Sequence, residues 1–220
     1  MLVKEIISDS ITTLKTSDSA SLALSLMDEF KVSHLPIVNN VEFLGLISEE
    51  DILSLNIPDE PLGNHKLSLA RPFINDDQHI FDAIRIFSEL KLSILPVLDR
   101  KNNYLGIITI RDLIYNLSRI ISLDNPGGII VLELNQNDYS LTEISQIVES
   151  NDAKVLNLYV TSYLNSTKID LTLKINKMDL TQVLKTFNRY DYIIKASFSE
   201  HQYLDDLKDR YDLLMNYLNM

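Results

Sequence analysis

A nine-residue pattern that occurs twice limits what this chain can fold into more than any other feature. Gly45-Leu46-Ile47-Ser48-Glu49-Glu50-Asp51-Ile52-Leu53 and Gly106-Ile107-Ile108-Thr109-Ile110-Arg111-Asp112-Leu113-Ile114 both read Gly, two aliphatics, a hydroxyl residue, two variable residues, Asp, two aliphatics, at an offset of 61. A second pair precedes them at an offset of 60, Ser33-His34-Leu35-Pro36-Ile37-Val38 and Ser93-Ile94-Leu95-Pro96-Val97-Leu98. The extra residue falls in the polar turns between the blocks. Further upstream, Ala20, Ala23, Leu24, Met27 and Phe30 match Ile80, Ala83, Ile84, Phe87 and Leu90, the spacing of one helix face. Three blocks in one order make an internal duplication, so one small unit is built twice.

Residues 1 to about 17 read as a short helix or extended arm leading to a strand near Thr12–Lys15. The first copy then predicts a helix from Asp18 to about Lys31, strands over 34–38 and 43–47, and a short helix to about Leu55 capped by Ser48. Residues 56–68, with Pro58, Pro61 and Gly63, read as a linker. The second copy predicts a strand near Phe73, a helix over 78–91, strands over 94–98 and 104–109, and a helix over 111–121. A single unit cannot cover the apolar face of its own small sheet, so the two copies are expected to pack about a pseudo-twofold axis. Pro36 and Pro96 lack a ladder donor and are expected at a strand edge or first residue.

Asn125-Pro126-Gly127-Gly128 closes the duplication. The remaining pattern is strand 129–134, helix 140–150, strands 154–163 and 168–175, helix 179–190 and strand 192–199, the βαββαβ order of ferredoxin-like domains. Lys168–Ile175 alternates strictly, which predicts a sheet with one covered face and one polar or wet face. Leu204, Leu207, Tyr211, Leu214 and Leu218 form an apolar stripe, read as a terminal amphipathic helix. The expected fold class is mixed α+β, with domains at 1–60, 61–124, 125–200 and 201–220.

Composition removes several chemistries. There is no cysteine, hence no disulfide and no thiolate nucleophile or ligand. Five glycines, at 45, 63, 106, 127 and 128, cannot make a Walker loop or a dinucleotide fingerprint. The four histidines are not spaced for a helical metal site. A net charge of -11 argues against a nucleic-acid surface. No apolar run approaches the ~20 residues of a membrane span, and the N-terminus lacks a secretory h-region, so a cytoplasmic protein is expected. No Ser-His-acid or paired-carboxylate arrangement can be assembled, which points away from an enzyme.

The repeated junctions Ser48-x-x-Asp51 and Thr109-x-x-Asp112 read in two ways. As capping boxes they need no ligand. As a binding device, a carboxylate in a first helical turn suits the hydroxyls of a ribose and the adjoining helix N-terminus suits phosphate.

The paired Leu-Pro strands and Gly-x-x-[Ser/Thr]-x-x-Asp junctions resemble the cystathionine-β-synthase (CBS) domain, in the tandem arrangement called a Bateman module, over about residues 1–122. The remainder resembles an ACT-like domain by element order, and the combination is similar to acetoin-utilisation-type proteins. The resemblance implies a non-catalytic regulatory module that binds an adenine nucleotide, AMP, ADP or ATP, between the repeats. It implies that Asp112 and Thr109 work with Leu14-Lys15-Thr16 and Ser33-His34-Leu35, and Asp51 and Ser48 with Phe73-Ile74 and Ser93-Ile94-Leu95. S-adenosylmethionine stays open as a ligand, as does a ligand-free adaptor role. The turn Asn135–Ser140 has no glycine where amino-acid-binding ACT domains carry one, which favours an assembly role, with a homodimer as the expected state. A separate regulated protein is implied and not named.

Overall fold

The computed structural model describes residues 1–55, 59–65 and 69–199, together with residues 215 and 217. Its contacts divide the chain at Leu117/Ser118.

The first unit holds the duplication. Helix α1 (Ala20–Phe30) leads to a hairpin, β1 (His34–Asn39) and β2 (Glu42–Ser48), and then to α2 (Glu49–Leu55). The second copy repeats this with β3 (Ile74–Asn75), α3 (Ile80–Leu90), β4 (Ile94–Leu98), β5 (Tyr104–Thr109) and α4 (Ile110–Ile120). Local chemistry explains the boundaries. Ser19 Oγ accepts from Leu22 N–H at the start of α1, and His79 Nδ1 accepts from Phe81 N–H at the start of α3. Both helices stop at a lysine in the left-handed region, Lys31 and Lys91. Left-handed Asn40 and Asn102 turn the two hairpins, since asparagine visits that region at low cost.

Both hairpins carry a bulge at the same place. Ile37 pairs with Gly45 and Val38 with Phe43, as Val97 pairs with Gly106 and Leu98 with Tyr104. Just beyond it, each repeat receives a strand from the segment that leads into the other. Ser8, ahead of the first copy, exchanges backbone hydrogen bonds with Ile107 of β5 at 2.8 and 3.0 Å, while Ala70, ahead of the second, accepts from Leu46 of β2 at 2.9 Å. The same segments then run parallel to their own repeats, Leu14 beside Ile37 and Ile74 beside Val97. This reciprocal exchange about a pseudo-twofold axis joins the copies into one body and removes their inner faces from water.

The exchange reaches further upstream than the matched blocks. Val3–Glu5 and Leu62–Asn64 are 3₁₀ turns. Val3 and Lys4 donate to the carbonyls of Gln78 and Asp76, and Leu62 and Gly63 donate to those of Asp18 and Thr16. Val3 and Leu62 are fully buried. The stretch expected to be a linker is therefore, at 61–65, the leading turn of the second copy, and the proline-glycine punctuation marks a tight turn against the first. The strand expected near Thr12–Lys15 is reduced to the single Leu14 bridge.

Both prolines stand third in their strands; Pro36 lies on β1, an edge strand of the two-stranded sheet, as expected, whereas Pro96 lies on β4, the middle strand of β3-β4-β5, neither at an edge nor at a start. Pro36 and Leu46 face each other without exchanging hydrogen bonds: Pro36 O accepts from Leu14 N and Leu46 N donates to Ala70 O, both directed away from the hairpin. The missing donor therefore lies on the outer side, where the neighbouring strand is a single bridge, and no ladder bond is lost.

The second unit has the expected order: β6 (Gly128–Asn135), α5 (Leu141–Glu149), β7 (Val155–Ser162), β8 (Lys168–Ile175), α6 (Thr181–Arg189) and β9 (Ile193–Ser199). The antiparallel sheet runs β7-β8-β6-β9, the ferredoxin-like arrangement. Its core lies between the sheet and α5 and α6, with Ile130, Leu132, Leu171, Leu173, Ile144 and Phe187 among the buried residues. The opposite face is drier than the alternation of β8 suggests. Asp170 and Lys174 are both buried. Asp170 Oδ2 takes Tyr163 Oη–H and Lys195 Nζ, each at 2.5 Å, and Lys174 Nζ donates to Leu123 O at 2.9 Å. Polar residues stay in this face because each has a partner. The expected terminal helix over 201–220 lies outside the described residues.

Candidate functional site

Each junction is a closed capping box. At the first, Ser48 Oγ accepts from Asp51 N–H at 3.0 Å, and Asp51 Oδ2 accepts from Ser48 N–H and Oγ–H at 3.0 and 2.6 Å. The second repeats it: Thr109 Oγ1 accepts from Asp112 N–H at 3.0 Å, and Asp112 Oδ2 accepts from Thr109 N–H and Oγ1–H at 3.3 and 2.7 Å. The next free amides, Glu49 and Ile110, donate to Ser33 O and Ser93 O. A carboxylate in the first turn of a helix, beside the helix N-terminus, can receive a hydroxyl and an anion.

A cleft of about 390 Å³ opens at the second junction, bordered by Thr109, Arg111 and Asp112, by Ser93, by Ser10 and Ile11 of the leading arm, and by the end of α1 at Glu29–Val32. A neighbouring groove of about 550 Å³ runs beside Asp28, Lys31, Ser33, Glu49 and Ser93.

These positions redraw the expected groupings. Asp112 meets the arm at Ser10 and Ile11, not at Leu14-Lys15-Thr16. Leu14 is buried with its N–H and C=O committed to Pro36 and Val38, Lys15 N–H is held by Asp18, and Thr16 O accepts from Gly63. The strand start beside each junction belongs to the same repeat, because β1 pairs with β2 and β4 with β5: His34 lies opposite Ser48 and Ile94 opposite Thr109. The side chains of Leu35, Ile74, Ile94 and Leu95 are fully buried, while Phe73 is 39% exposed. Ser93 belongs to both clefts. Ser10 and Ile11 were not singled out from the sequence, since only the exchange of arms brings them to Asp112.

His34 is a contact between the repeats. Its Nδ1 is 3.1 Å from Ser33 Oγ and 3.1 Å from Ser93 Oγ, and Ser33 N–H donates to the same Ser93 hydroxyl at 3.1 Å. Burial holds the imidazole pKa below its ordinary value, against the opposing pull of Asp51. The unfolded chain therefore takes up this proton first, so stability is highest above about pH 6.5 and declines as pH falls from there to the folded pKa. His34→Gln should flatten that part of a stability-against-pH curve measured by urea denaturation; an unchanged slope between pH 7 and pH 5 would show the ring titrates freely.

Residues 3–57 and 69–119 each match the family model described as the CBS domain. The first unit is a tandem CBS-domain pair. The two matches fall on the two copies read from the sequence, and curated relatives align over about half of the chain. An inosine-5'-monophosphate dehydrogenase of Methanocaldococcus jannaschii is 24% identical over 113 residues, 50% of this chain, and the chain spans 22% of its length. A CBS domain-containing protein of Dictyostelium discoideum is 27% identical over 136 residues, 55% of this chain and 94% of its own. Among solved structures, a CBS domain pair/ACT domain protein from Thermotoga maritima has a TM-score of 0.48 at 23% identity, covering 54% of this chain and 98% of that one. CBSX2, crystallised in complex with AMP, has a TM-score of 0.47 at 25% identity, covering 54% and 97%.

Proposed function

We propose that the tandem CBS pair is a non-catalytic regulatory module that senses an adenine nucleotide, with Asp112 and Thr109 receiving the ribose and the α4 N-terminus and Arg111 facing the phosphate. The observation that carries this reading is the cleft itself, in which the capping box of Asp112 and Thr109, the first turn of α4 with Arg111, and the leading arm and α1 end of the other repeat line one cavity. A ligand favouring one arrangement of the repeats would shift their equilibrium, which is how such a module signals. In the same reading the second unit is ACT-like and serves assembly, as in acetoin-utilisation-type proteins, the protein is a cytoplasmic homodimer with domains at 1–60, 61–124, 125–200 and 201–220, and its output passes to a separate protein.

A second reading is favoured by the completeness of the caps. Both junctions hold their helices without any ligand, as they would in an adaptor that only assembles. Thermal unfolding with AMP, ADP, ATP and S-adenosylmethionine separates the two. A ligand at ~100 times its dissociation constant stabilises the native state by about 2.7 kcal/mol, whereas an adaptor shows no shift with any of them.

A further inference from the structure

The two copies touch just ahead of β1 and β4. Ser33 and Ser93 occupy matched positions, and Ser33 N–H donates to Ser93 Oγ at 3.1 Å. Each serine also holds the start of a helix: Ser33 O accepts from Glu49 N–H of α2 at 3.0 Å, and Ser93 O accepts from Ile110 N–H of α4 at 3.4 Å. Hydrogen bonds therefore run from α2 through both serines to α4. The next residue breaks the symmetry. In the second copy it is Ile94, fully buried, whereas in the first it is His34, partly buried and in contact with the other copy.

Three donors converge on His34 Nδ1: Ser33 Oγ and Ser93 Oγ, both at 3.1 Å, and Ser93 N–H at 3.4 Å. Hydroxyl hydrogens can rotate away, but a backbone N–H only donates. Nδ1 must therefore present its lone pair, and these contacts assign the ring hydrogen to Nε2. A second proton has only Nδ1 to occupy, where it meets the Ser93 N–H head-on. Burial opposes the imidazolium in the same direction, against the pull of Asp51 on α2. The other charged groups nearby are few. Glu49, Asp28 and Lys31 share a groove with Ser33 and Ser93, and Asp28 and Lys31 pair with each other at 2.7 Å. Glu29, Arg111 and Asp112 share the cleft with Ser93, and Lys91, ahead of β4, is exposed.

We infer that His34 is a proton-operated latch between the repeats: neutral, it closes the Ser33–Ser93 contact, and protonated, it expels Ser93 and lets the first turns of α2 and α4 part. The latch is closed above about pH 6.5 and opens as pH falls from there. A histidine that changes charge at a contact between two packed bodies biases their arrangement. The proton is thus an input to the pair in its own right, whichever ligand fills the cleft, and it acts on that cleft through Ser93 in its wall.

The chain has no cysteine, so spin labels at Leu53→Cys and Ile114→Cys, exposed positions on α2 and α4, report the distance between these helices in the full protein. The expected result is one distance at about pH 7 and, towards about pH 5, a second and longer one. The longer distance should grow with the midpoint of the His34 ring titration, followed by proton NMR. In His34→Gln, whose amide oxygen can accept from the Ser93 N–H without titrating, a single distance should persist at both pH values. An unchanged distance in the labelled protein with His34, an equal lengthening in His34→Gln, or a midpoint that does not coincide with the ring titration overturns the latch.

Discussion

Replacing Gly106 by valine should cost about 3 kcal/mol or more, read as a lowered urea midpoint at unchanged slope. Gly106 has φ +149°, a region L-residues rarely adopt. A Cβ at that position would stand 2.6 Å from Ile7 Cγ2 and 2.9 Å from Ser8 O. Those atoms belong to the leading arm of the other repeat, whose hydrogen bonds to Ile107 lock the two copies together. The side chain cannot be absorbed by rotating a flexible neighbour, because the nearer obstacles are a branched side chain beside the backbone and a carbonyl already in use. Gly45→Val is the matched case, with φ +158° and Leu69 Cβ and Ala70 O at 2.6 and 2.9 Å. A loss below about 1 kcal/mol in both would mean the arms are not fixed at these bulges.

Phe187→Ala should destabilise the ferredoxin-like unit by about 3–5 kcal/mol. The ring is fully buried on α6 and stands edge-on to Tyr192 at 5.5 Å and 80°. It is the largest side chain in a core otherwise made of Ile, Leu, Val and Ala, and those neighbours are anchored on sheet strands and α5. Such surroundings cannot collapse into the space left by a phenyl group, so the cavity term adds to the lost transfer energy. The measurement is guanidinium unfolding followed by far-ultraviolet dichroism, and a change under 1.5 kcal/mol would indicate a core that relaxes around the gap.

The two units differ in how much of each could be read in advance. The βαββαβ order followed from alternating strands such as Lys168–Ile175, and the order alone leads to the observed sheet. The opposite face is polar, as the alternation suggests, but its burial was not legible, because the partners of Asp170 and Lys174 come from Tyr163, Lys195 and Leu123, contacts that no local period encodes. In the CBS pair, the repeated Gly marked the duplication but not its own purpose. Its role appears only when Ile7 and Leu69 cross over it from the opposite repeat. The same exchange explains the regrouped cleft. The resemblance implies that Leu14-Lys15-Thr16 work with Asp112; in the structure Leu14 bridges to Ile37 of β1, while Ser10 and Ile11 line the cleft with Asp112. His34 illustrates a third limit. The resemblance implies His34 among the ligand-binding residues, whereas the partners it has in the structure are Ser33 and a serine 59 residues away.

The central claim, that this pair receives an adenine nucleotide at Asp112, is tested most directly by thermal unfolding of wild type, Asp51→Ala and Asp112→Ala with and without AMP, ADP, ATP and S-adenosylmethionine. Both variants lose a cap and should melt below wild type by the equivalent of about 1 kcal/mol, so the informative quantity is the shift each gains on adding ligand. The account predicts that a nucleotide raises the melting temperature of wild type and of Asp51→Ala, and that Asp112→Ala loses the rise. No rise in wild type with any of the four compounds, or an equal rise in Asp112→Ala, would contradict it.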